Sequence, residues 1–129
     1  MNDFRDWGIQ LGRRFRALKL WFVIRNYGVT GLQNKIREHI LLAKEVEDWI
    51  KQSEEFEIIT PRTLNLVCFR YHPPGINEEE DLNRINELLL ERLNKSGKIF
   101  ISHTKLSRKF TLRMVIGQTY VERKHIEQA

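Results

Sequence analysis

The chain has 129 residues, 41% of them apolar and 30% charged, with a formal net charge of +5. That composition fits one soluble domain with one hydrophobic core, and it excludes collagen-like, disulfide-framework and low-complexity classes. No apolar run reaches the ~18–20 residues that span a bilayer, and a single cysteine, Cys68, excludes an internal disulfide.

Charge is unevenly placed. Residues 1–25 carry Arg5, Arg13, Arg14, Arg16, Lys19 and Arg25 against Asp3 and Asp6, whereas residues 78–91 carry six acids against Arg84 alone. The start, MNDFRDW, lacks the charged-then-apolar layout of a secretory signal. With the lone thiol, this gives a cytoplasmic expectation and no membrane partner.

Met1 to Leu11 shows no clear periodicity and reads as an extended lead-in. A helix is predicted from Arg13 to about Asn26. Leu18, Leu20, Trp21, Phe22, Val23 and Ile24 make it apolar on nearly every side, the pattern of a helix buried on more than one face. Gly28 is suited to end it. Thr30 suits the cap of the next helix, and Leu32, Ile36, Ile40, Ala43, Val46 and Ile50 trace one helical stripe to about Gln52.

The period then changes to two. Phe56–Ile59 reads as a short strand, and Leu64–Arg70 as an interior one because it is mostly apolar. His72-Pro73-Pro74-Gly75 is a loop. Asn77 with Glu80 resembles a capping box for a third helix, whose buried face is Leu82, Ile85, Leu89 and Leu93 and which Gly97 stops. Ile99–Ile101 reads as a strand and HTKLSRK as a connecting loop. Phe110, Leu112, Met114 and Ile116 alternate into a final strand, and a last helix starts near Val121. This order predicts an α+β domain: a small antiparallel sheet covered by helices.

The residues offer little catalytic chemistry. His39, His72, His103 and His125 are scattered, and no C-x-x-C or H-E-x-x-H pattern occurs, so no metal site is expected. Cys68, between Val67 and Phe69, reads as a buried structural thiol. Ser102-His103-Thr104 reads as local capping at a strand end, and the acids at 78–81 as a helix N-terminus. Arg13 and Arg14 at a helix start suit an anion. A free-standing nucleic-acid-binding module built on this basic helix is the alternative function. The bulk of Leu18 to Ile24 leaves such a helix little polar face for a groove.

Three blocks carry a resemblance: DFRDWGIQLGRRFRALKLWFVIRNYGVTGLQNKIREHI, LNLVCFRYHP and SGKIFISHTKLSRKFTLRMVIGQTYVERKHIEQA. In content and order they resemble the C-terminal part of the group II pyridoxal-phosphate-dependent amino acid decarboxylases, the family of aromatic-L-amino-acid and tyrosine decarboxylases. The resemblance implies the C-terminal domain of a fold-type I enzyme. It divides the chain into a connecting segment with the first helix (1–29) and a C-terminal small domain (30–129), truncated at both ends relative to a full enzyme. It implies a carboxy-lyase acting on an aromatic L-amino acid, and a homodimer. It implies pyridoxal 5'-phosphate in the parent enzyme, held on a lysine upstream of this chain, so that none is bound covalently here and the chain alone is inactive. Leu11 and Gly12 match positions beside the substrate's side-chain pocket. Arg5 matches an arginine that organises structure near the active site, with Arg13 and Arg14 beside it. No residue of the chain matches a catalytic, cofactor-binding or metal-binding position of the family.

Overall fold

A computed structural model describes residues 15–128. The described residues divide into two compact units, one up to Lys35 and one from Ile36 onward. Seven elements follow in order: helix α1 (Arg16–Gln52), strands β1 (Phe56–Ile58) and β2 (Leu66–Tyr71), helix α2 (Glu79–Lys95), strands β3 (Ser102–Leu106) and β4 (Lys109–Val115), and helix α3 (Arg123–Glu127). No described helix is long and apolar enough to cross a membrane.

α1 breaks where its sequence has glycine: Gly28 has φ 65° and ψ 176°, a conformation that a Cβ disfavours. In the first unit the apolar side chains of this helix are exposed. Phe15, Leu20, Trp21 and Phe22 are each more than half exposed, and Leu18, Val23 and Ile24 nearly so. The only ring contacts among its described residues are local: Trp21 on Phe22, Arg25 over Trp21 and Lys35 over Tyr27.

The second unit holds the sheet. Its strand order is β1-β2-β4-β3, antiparallel throughout, so β2 is interior as its apolar sequence requires. Register pairs Val67 with Met114 and Phe69 with Leu112, which places these four on one face. Helix residues Leu42, Ala43 and Val46 pack there with Val67, Ile116 and Ile126. Leu89, Leu90 and Leu93 of α2 cover Phe110, Leu112 and Ile101 beside them. Val67, Leu82 and Leu112 are fully buried, and each contributes about 2 kcal/mol by its removal from water.

Three expectations need correction. Ile99–Ile101 is not a strand. Its backbone is instead held by a side chain, since Asn94 accepts from the Ile101 N–H and donates to the Ile101 carbonyl, both at 2.9 Å. The segment HTKLSRK, expected as a loop, holds all of β3 but Ser102, a two-residue hairpin turn at Ser107 and Arg108 with φ 49° and 70°, and the first residue of β4. β3 is an edge strand, half exposed, so its sequence needs no apolar run. The turn has the positive dihedrals of a hairpin turn but not its usual Asn-Gly chemistry. Asn77 does not cap α2: the cap position is Glu78, which makes no side-chain cap bond. The acids of the first turn, Glu79 to Asp81, face the helix dipole instead.

Candidate functional site

Arg5, Leu11, Gly12, Arg13 and Arg14, the positions singled out by sequence, lie outside the described residues. The described residues place their most concentrated polar group elsewhere, at one end of β2. Arg70 occupies an interior strand and is 3% exposed, so its charge needs partners. Its Nε donates to Glu57 of the neighbouring strand, and its Nη1 to Glu79 in the first turn of α2 at 2.6 Å. His72 adds Nδ1 at 3.2 Å from the Glu57 carboxylate, while its Nε2 lies 3.1 Å from the Ile76 carbonyl. Burial pushes the Glu57 carboxyl up. Arg70, with His72 and Lys109, more than offsets this and holds it below the usual carboxylate range. Every charge in the cluster is answered by a neighbour, and no nucleophile stands among them. The cluster ties β1, β2 and α2 together.

Three asparagines of α2 make equivalent ties to backbone. Asn86, wholly buried, accepts from the Tyr71 N–H at 2.7 Å and donates to the Tyr71 carbonyl at 2.8 Å. Asn83 accepts from the Phe110 N–H and donates to the Arg108 carbonyl. Asn94 does the same for Ile101. Each amide satisfies strand-end groups that lack a ladder partner. Sequence reasoning missed them. Their signal was three polar amides, spaced 3 and 8 apart, on a helix otherwise read for its leucines.

The candidate chemistry from sequence is dispersed. Cys68 is buried, and burial pushes its thiol up, so it is no thiolate nucleophile at neutral pH. His39 is buried in α1, His103 stacks on Phe110 at 4.6 Å, and His125 lies in α3. No group of three or more His, Cys, Asp or Glu among the described residues is placed to hold a metal. Ser102-His103-Thr104 lies inside β3 rather than capping a strand end.

The lysines test the fit to pyridoxal phosphate. A Schiff-base lysine works from a desolvated setting that lowers its basicity. None of the nine lysines, from Lys19 to Lys124, is buried.

The sequence profile of the pyridoxal-dependent decarboxylase conserved domain matches residues 1–72. A tyrosine decarboxylase of Narcissus pseudonarcissus is 50% identical over 127 residues, covering 98% of this chain and 25% of that protein. A phenylacetaldehyde synthase of Arabidopsis thaliana is 52% identical over the same length, covering 98% and 26%. Among solved structures, Oryza sativa TDC with PLP and tryptamine superposes with a TM-score of 0.83 at 41% identity, covering 98% of this chain and 27% of that one. The chain thus spans about a quarter of the length of the curated relatives it matches.

Proposed function

The chain belongs to the pyridoxal-dependent decarboxylase family, and from that membership we propose that it forms the C-terminal portion of a carboxy-lyase acting on an aromatic L-amino acid. The observation that carries the proposal is near-complete coverage of this chain, at half identity, by tyrosine and tryptophan decarboxylases. In this reading residues 1–29 connect to the rest of the enzyme and residues 30–129 form its small domain. Leu11 and Gly12 border the substrate's ring, and Arg5, Arg13 and Arg14 order the backbone around them. The parent enzyme is a cytoplasmic homodimer, and its pyridoxal phosphate is held by residues that this chain does not supply. When bound, that cofactor draws off the electrons left behind by the departing carboxylate.

Relatives named as decarboxylases and as aldehyde synthases are similar to the chain to the same degree, 50% and 52%. The nucleic-acid reading of the basic helix draws no support from these relatives.

Grafting tests the proposal. The matching quarter of the rice tryptophan decarboxylase is replaced by this chain. Cofactor absorbance and tryptamine formation are expected to survive within about tenfold, a loss of ~1.4 kcal/mol in transition-state stabilisation. A well-folded chimera that binds the cofactor yet forms no amine would overturn the reading. The chain alone, given pyridoxal phosphate and tyrosine, is expected to release no carbon dioxide.

A further inference from the structure

Within the second unit, a cavity of ≈ 550 Å³ opens between the Lys98–Ile101 segment, the end of β4 and α3. Its size falls in the range of small-molecule sites. One part of its wall is apolar, from Met114, Ile116, Val121 and Ile126. The rings of Phe100 and Tyr120, 84% and 75% exposed, stand at its rim. Lys98 and His125 line this cavity and also a second one of ≈ 460 Å³, so both side chains sit where the two cavities adjoin.

The polar end has a defined sign. Lys98 pairs with no carboxylate among the described residues, and no Asp or Glu among them lines either cavity. His125 Nδ1 accepts the Glu122 N–H at 3.0 Å as part of the α3 cap. That bond leaves Nε2 to carry the ring proton, so His125 has a donor to offer. Of the nearby acids, Glu122 pairs with Lys124 at 2.8 Å and also faces His125 across the α3 cap, while Glu127 pairs with Arg123 at 3.0 Å. An ammonium and an N–H donor beside an apolar wall rimmed by two rings match an anion that carries a ring.

We propose that this cavity is a binding site for a small aromatic carboxylate, its ring against Phe100, Tyr120 and the apolar wall and its carboxylate on Lys98 and His125. The cavity takes such a ligand whether or not the parent chain is a decarboxylase. Its described lining comes from residues 98–126.

The probe is 3-phenylpropionate, titrated into the full chain and followed by backbone amide shifts. Saturable shifts at Ile99, Gly117, Val121 and His125 are expected, with a Kd of about 1 mM, ordinary for a single-ring ligand. Phenethylamine, the same ring with the opposite charge, is expected to bind at least about tenfold more weakly. Lys98→Glu is expected to weaken 3-phenylpropionate about tenfold, whereas Lys105→Glu, an equal change of net charge on exposed β3, leaves it unchanged. Should the exposed first unit cause self-association, Trp21→Glu/Phe22→Glu gives a second background for the same titration. Absence of saturation at ten times the expected Kd, equal binding of the amine, or indifference to Lys98→Glu in a folded chain each overturns the proposal.

Discussion

Arg70 shows what a single buried charge demands. A guanidinium on an interior strand is stable only with carboxylates at hand, and Glu57 and Glu79 supply them. Removing the arginine leaves both carboxylates facing one another, so Arg70→Met is expected to cost about 3 kcal/mol in chemical denaturation. The pH dependence follows from Glu57. Its folded carboxyl titrates below its ordinary value of 4.5, so the unfolded chain binds more protons in acid. The stabilisation is complete above about 4.5 and is lost as pH falls through the lower folded value. Glu57→Gln is expected to lower stability at pH 7 and to flatten the acid side of the stability curve. An unchanged acid limb in that variant counts against the pairing. The strand around Arg70 was legible in sequence; its partners, 13 and 9 residues away on two other elements, were not.

At the scale of elements, the strongly periodic segments declared themselves. The stripe of α1, the leucine face of α2 and the alternation of β4 all appear where the sequence puts them. The hairpin from β3 to β4 did not, because an edge strand carries few apolar residues and Ser107-Arg108 is a poor turn sequence. That mismatch is testable. Ser107→Asn/Arg108→Gly supplies residues that accept positive φ, and is expected to raise stability by about 1 kcal/mol. For a unit of this size that is a rise in Tm of roughly 4–8 °C, readable by calorimetry. The amides of α2 carry the opposite risk. Asn86→Leu strands the N–H and C=O of Tyr71 and is expected to cost about 2–4 kcal/mol in urea unfolding. Asn86→Asp, which buries an unpaired carboxylate against the Tyr71 and Leu82 carbonyls, is expected to cost at least as much.

For the whole molecule, the feature that matters is the apolar surface of the first unit. Phe15 to Ile24 expose seven large apolar side chains on one short helical stretch, more than an isolated soluble chain ordinarily leaves in contact with water. The purified chain is expected to bind a hydrophobic dye and to sediment as concentration-dependent assemblies. Trp21→Glu/Phe22→Glu is expected to reduce both while the cooperative unfolding of residues 36–128 persists. A monomer indifferent to the dye contradicts this account. The sequence by itself determined the class of fold, the break at Gly28, the interior place of β2 and the resemblance to the pyridoxal-dependent decarboxylases. These depend on period, turn chemistry and long matching blocks, all of which lie along the chain. Only the tertiary structure decided which acids answer Arg70, that three amides of α2 dock on strand ends, that a polar stretch is the edge strand β3, and that Lys98 and His125 share a cavity. Each of these joins residues distant in sequence, and a contact of that kind is selected by packing and by the need to satisfy buried polar groups rather than by local preference.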